Sequence, residues 1–184
     1  IPVEEMILPL VVFDITPKIA DNPAYALTLE DIHQWEERHG RVPSGSFVAL
    51  RTDMYKDWES NPTRFKRHPF PGWSLEALKF LYEERGAVAN GHESMDTDST
   101  PNLESEVWLL KQGHWQIEVM AHLDKVPPVG AIIVVSWPKP EGGLGKMHRG
   151  VRPHLRGSPA LQRQPHRPPR TTGQGEDSPA ARGG

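Results

Sequence analysis

The apolar residues of this chain come in short β-branched runs, MILPLVVF near the start, PSGSFVALRT in the middle and GAIIVVSW further on, separated by stretches of helical periodicity. Runs of about eight residues or fewer suit buried strands and fall far short of the roughly 20 needed to cross a bilayer. Strands interleaved with helices predict an α/β fold with a mixed sheet. The absence of cysteine removes disulfides and thiolate ligands, so a metal would be held by His, Asp or Glu.

Charge divides the chain at Gly143. Residues 144–184 carry eight Lys/Arg against Glu176 and Asp177, a balance of +6, leaving 13 against 22, or −9, for residues 1–143. The second part is rich in Pro, Arg and Gly and has no aromatic residue, so it reads as a disordered basic tail after a single domain over residues 1–143. A basic tail can contact phosphates, but without aromatics between its arginines it offers no base-stacking surface, and nucleic acid is not an expected partner. IPVEEM has no secretory-type pattern, and the expectation is a cytoplasmic protein with no membrane contact, whose true N-terminus lies before Ile1.

Within residues 1–143 the pattern is specific. MILPLVVFDIT predicts a strand with Asp14 projecting at its end. TLEDIHQWEERHG predicts a helix with a Thr28/Asp31 capping box, closed by Gly40. A second strand in PSGSFVALRT precedes a long aromatic loop, and Ser74 caps a helix through LEALKFLYEERG. AVANG is a third strand. NLESEVWLLKQG predicts a helix whose stripe of Leu103, Val107 and Leu110 turns to the core. HWQIEVMAHLD alternates Trp115, Ile117 and Val119 against Gln116, Glu118 and Met120, and GAIIVVSW closes the sheet.

The segment GHESMDTDST, residues 91–100, therefore follows a strand end, where open α/β sheets place ligand sites. His92, Glu93, Asp96, Asp98, Glu104, Glu106, His114 and Glu118 form a dense set of oxygen and nitrogen donors. Asp96 and Asp98 read as members of a solvated loop. His92 is better placed for a ligand or catalytic role, although strand-end histidines often bond a backbone carbonyl instead. Glu118, between WQI and VM, is costly to bury unless paired or metal-bound. Trp58, Phe70 and Trp73 could line an apolar substrate pocket, with a core or subunit-contact role as the plainer alternative. His33, His39, His68, His114 and His122 read as surface residues.

Taken in order, LPLVVFDIT, YALTLEDI, HGRVPSGSFVALRTDMYKDW, FPGWSLEALKFLYEERG and WQIEVMAHLDKVPPVGAIIVVSWPKPEGG resemble the cyclase family of metal-dependent hydrolases, the group containing kynurenine formamidases and isatin hydrolases. The resemblance runs from about Met6 to Gly143. It implies a swivelling β/β/α domain, incomplete at both ends here, that is homo-oligomeric and hydrolyses a small aryl formamide or cyclic amide with water activated on zinc or manganese.

Glu118 matches the family's metal-binding glutamate. Glu106 occupies the place of a family histidine, and GHESMDTD stands where the family has a segment like GVDT-x-S-x-D, so the resemblance implies that His92 and Glu106 share a redistributed ligand role. Glu118, Glu106 and His92 are the implied metal set, His92 the implied catalytic residue, and Glu93 or Asp96 would orient its imidazole. The family's His-x-Gly-Thr-His-x-Asp-x-Pro-x-His signature is absent, and LGKMHRGVRPHL replaces its closing strand. The expectation is a partial hydrolase, inactive on its own. The alternative is a non-catalytic remnant that keeps the fold for oligomerisation.

Overall fold

The protein is described here from a computed structural model covering residues 1–66, 69–136 and 151–152. Four strands run parallel: β1 (Ile7–Asp14), β3 (Phe47–Arg51), β5 (Ala89–His92) and β6 (Trp115–Ile117). Antiparallel β7 (Ala131–Val134) adds to β1 and β8 (Val151–Arg152) adds to β7, giving a six-stranded mixed sheet in the order β6-β5-β3-β1-β7-β8. Beside it, β2 (Ala26–Leu27) pairs parallel with β4 (Gly72–Trp73). The expected mixed α/β sheet is thus present. Within the stretch expected as a tail, Val151 and Arg152 pair with the edge of β7, whose backbone groups an extended segment can satisfy. The rest of the tail lies outside the described residues.

Both faces of the central strands are covered, which explains their unbroken apolar runs. Val11, Phe13, Val48 and Leu50 pack against Ile32 and Trp35 of α2 (Leu29–His39), Leu78 of α3 (Leu75–Lys79) and Leu109 of α4 (Glu104–Lys111), while α1 (Thr16–Ile19) is a single turn after β1. Leu10, Val12, Phe47, Ala49 and Ile133 form the opposite layer with Met120 and Leu123. The capping box of α2 is formed as the sequence predicts, with the Asp31 amide donating to Thr28 Oγ1 at 3.2 Å and the Thr28 amide to Asp31 Oδ2 at 2.9 Å. Helix α3 runs on into a π-helical turn, Phe80–Glu84, which buries Leu81 and Tyr82.

Helix α4 departs from expectation. It buries Ser105 and Leu109, whereas Val107 and Leu110 are 41% and 54% exposed. Its rotation is set at its start, where the Asp98 carboxylate accepts from the Ser105 amide at 2.9 Å and the Glu106 amide at 3.3 Å. That pair of bonds overrides the periodic stripe.

The long loop splits into single turns of 3-10 helix, Met54–Asp57 and Pro62–Lys66, before β4. Trp73 is fully buried in the main core, and Phe70 joins Met54 and Phe65 in a small cluster of its own. Phe70 also borders a surface cleft with Pro23, Arg64 and Pro71, and Trp58 is 56% exposed against Phe65.

Strand β5 depends on Gly91. A Cβ there would come within 2.7 Å of Phe47 Cζ and 3.0 Å of the Ile117 carbonyl, with the Met120 sulfur closer still. Gly91→Ala is therefore expected to cost about 1–3 kcal/mol in urea denaturation, the usual range for overpacking a tight core. Stability equal to wild type would show that β5 and β6 are not packed this closely.

Candidate functional site

The C-terminal ends of the four parallel strands face one side of the molecule, and the segment after β5 folds across them. His92 is the last residue of β5 and lies beside Leu50 in register, so its side chain takes the helix-covered face. It is fully buried, and neither ring nitrogen has a hydrogen-bond partner among the described residues. Burial drives its pKa down to about 3, with the Asp98 charge opposing that shift in part. The imidazole is neutral at physiological pH.

Glu93 is also fully buried but bonds elsewhere. Its Oε2 accepts from the Thr52 amide at 2.9 Å and the Thr52 hydroxyl at 3.0 Å, tying the end of β5 to the end of β3. Burial pushes its pKa up to about 6. The expectation that Glu93 or Asp96 orients the His92 ring is not met, because both ring nitrogens lack any such bond.

Asp98 is buried rather than solvated. One carboxylate oxygen takes the Thr100 amide and hydroxyl, and the other takes the Ser105 and Glu106 amides in the first turn of α4. A carboxylate at a helix start is favoured by the orphan N–H groups and the helix dipole.

Glu118 follows directly on β6, whose exit is strained. Val119 has φ 52°, a left-handed conformation that a β-branched residue rarely adopts, and its side chain is 36% exposed. The Val119 amide donates to Ser94 O at 3.1 Å while the Met120 amide donates to His92 O at 2.9 Å, so the chain doubles back at this corner. The reversal breaks the alternation read from the sequence: Met120 turns in beneath Gly91 at 6% exposure, and Val119 turns out.

Glu118 stays on the side of Gln116, whose Nε2 donates to Glu118 Oε1 at 2.9 Å. Its carboxyl is exposed at the rim. Partial desolvation raises its pKa, the Glu106 and Asp96 charges add to the rise, and the Gln116 bond opposes it. Glu106, on the first turn of α4, accepts at Oε2 from the Thr97 amide at 3.2 Å, and the Thr97 hydroxyl oxygen lies 3.3 Å from the same atom. The same hydroxyl makes a short contact with Gln116 Oε1. Glu106 and Glu118 are thus joined through Thr97 and Gln116.

Of the three implied ligands, the structure brings Glu106 and Glu118 to one rim and encloses His92 beneath it, where the charge that bears on the ring is that of Asp98. Among the described residues no three His, Asp or Glu side chains are grouped to hold a metal ion. Glu106 already spends one oxygen on Thr97. These residues alone do not fit a zinc or manganese centre, and such an ion would need ligands from outside them. Thr97 and Gln116 were not singled out by their sequence pattern. The signal for Gln116 was its i, i+2 relation to Glu118 on a strand, which puts both on one face.

The buried imidazole makes a pH prediction. The unfolded chain protonates His92 near its ordinary 6.5 and the folded chain only near 3, so the stability due to neutral His92 is present above about 6.5 and lost as pH falls toward 3. Glu93 acts in the opposite sense, gaining stability as pH falls through about 6. In thermal denaturation at pH 7.5 and pH 5, His92→Leu should lose less Tm between the two than wild type, since Glu93 is common to both. Equal losses would contradict the enclosed, neutral ring. At the strained corner, Val119→Asn tolerates the left-handed backbone and should raise stability by about 1 kcal/mol in urea. A lower stability would mean that the valine side chain holds the corner.

Comparison with known proteins places this geometry in a family. The model described as "Putative cyclase" matches residues 1–99. An isatin hydrolase of Roseibium aggregatum is 28% identical over 159 residues, covering 81% of this chain and 60% of the relative. Two solved isatin hydrolase A structures are similar. The one from Labrenzia aggregata, bound to benzyl benzoate, is 34% identical, with 72% of this chain and 55% of that one covered and a TM-score of 0.66. The one from Ralstonia solanacearum is 30% identical, with 78% and 58% covered and a TM-score of 0.71. The chain therefore spans between 55% and 60% of the length of these relatives. No helix among the described residues is long and apolar enough to cross a membrane. With more than half of its residues matched by the family model and its strands superposing on those relatives, the chain belongs to the putative cyclase family.

Proposed function

We propose that this protein contributes the carboxylate wall of a hydrolase site that opens an amide bond in a small aryl formamide or cyclic amide, with Glu118 as the base. The observation that carries this reading is the Glu118 carboxyl, exposed at the rim, anchored by Gln116 and made more basic by its surroundings and by Glu106. In the reaction, water attacks the carbonyl carbon, Glu118 takes the water proton, and as the carbon–nitrogen bond breaks Glu118 returns that proton to the leaving nitrogen. A carboxylate with a raised pKa is the better proton acceptor, and such bases contribute typically 10²–10⁴-fold. His92 is assigned no part in this step, because its ring is enclosed and burial makes it a poor proton acceptor. The relatives are isatin hydrolases, and isatin is a cyclic amide, which supports that substrate class. Zinc or manganese chemistry, as the resemblance implies, would rest on ligands beyond the described residues, and a homo-oligomer is the proposed assembly.

A second reading, an association domain without catalysis, is favoured by the exposed Val107 and Leu110 on α4. Isatin hydrolysis by the full chain, followed by absorbance with manganese present, separates the two. Glu118→Gln should lower kcat/KM by about 100-fold or more while leaving Tm within a few degrees. Undiminished activity in that variant would overturn the catalytic reading. An inactive wild type whose sedimenting oligomer is broken by Leu110→Asp would establish the other.

A further inference from the structure

Thr97 is fully buried, and its carbonyl accepts from the Trp73 amide at 2.9 Å, which pins it to β4. From that fixed point its amide and hydroxyl both reach Glu106 Oε2, and the hydroxyl also meets Gln116 Oε1. A hydroxyl has one proton and cannot donate to both acceptors. Because the Gln116 Nε2 is committed to Glu118, it is the Gln116 oxygen that faces Thr97. The Thr97 hydroxyl therefore donates to Gln116, and the Thr97 amide holds Glu106.

We propose that Thr97 and Gln116 are positioning residues for the Glu118 base. Thr97 sets the orientation of the Gln116 amide, Gln116 sets the rotamer of Glu118, and Glu106 is kept on its own donor. This rests on the reading of Glu118 as the base. Glu118 is exposed and lies just past the end of the three-residue edge strand β6, so without this chain of bonds it would sample many rotamers. A misplaced base is costly, since displacement by about 1 Å can lose on the order of 100-fold. The Gln116–Glu118 bond is exposed and adds little to folding, while the Thr97 bonds are part-buried.

The test uses the full-length protein with three variants. Thr97→Val keeps the shape and the amide bond to Glu106 and removes only the hydroxyl. Thr97→Ser keeps the hydroxyl. Gln116→Leu breaks the relay at a half-buried position. With isatin as substrate, Thr97→Val and Gln116→Leu should each lower kcat about tenfold with KM unchanged, and Thr97→Ser should restore it. In ¹⁵N NMR the Gln116 side-chain NH₂ should be distinct and slowly exchanging in wild type and Thr97→Ser, and averaged in Thr97→Val. Unchanged kcat and an unchanged NH₂ signal in Thr97→Val would overturn the proposal even where Glu118→Gln is inactive. Full activity of Glu118→Gln would instead overturn the base assignment. If wild type does not turn over isatin, the NH₂ signal decides the positioning role alone.

Discussion

The carboxylate of Asp98 holds the site together. It is enclosed, yet it meets four donors: the Thr100 amide and hydroxyl on one oxygen, and the Ser105 and Glu106 amides on the other. A buried carboxylate is costly unless saturated in this way. Because those donors come from both its own loop and the start of α4, Asp98 locks the helix to the end of β5. The lock turns Glu106 toward Thr97 and turns Val107 and Leu110 to solvent. Without it, the apolar stripe of α4 would be free to seek the core.

The other half of the rim is built by backbone. Gly91 lets Met120, Phe47 and the Ile117 carbonyl close over β5, and the left-handed turn at Val119 brings the chain back so that Met120 can enter that space. Such a turn costs a β-branched residue roughly 1–2 kcal/mol, and the exposed valine recovers little of it by packing. Glu118 sits one residue before the corner, beside carboxylates of like charge. Strain and like-charge repulsion at the same few residues are what a functional rim tolerates and a purely structural loop avoids.

Much of this was readable in the residues. β1, β3 and β7 followed from β-branched runs, and α2 from Thr28, Asp31 and Gly40, because those signals act within a few positions of one another. The rotation of α4 was not readable, since it is set by Asp98 from outside the helix and not by the periodicity of Leu103, Val107 and Leu110. Asp98 itself looked like part of a solvated run, and only its long-range partners give it another role. The inward turn of Met120 was hidden because period-two alternation presumes a continuous strand, and β6 ends at Ile117. Glu106 and Glu118 were named as metal ligands with His92, and the structure links the first two through Thr97 and Gln116. His92 was placed at the right strand end, but a sequence does not say whether such a ring meets solvent, and here it is closed in.

The central claim is that Glu106 and Glu118, on different elements, act on each other at one rim. A double-mutant cycle in folding stability at neutral pH and low salt measures this directly, using Glu106→Gln, Glu118→Gln and the double variant. Either single change relieves the repulsion, so the second should add little, and the account predicts a coupling of about 0.5 kcal/mol or more that shrinks in high salt. Effects that simply add, to within about 0.3 kcal/mol at every salt concentration, would show that the two carboxylates do not share a site.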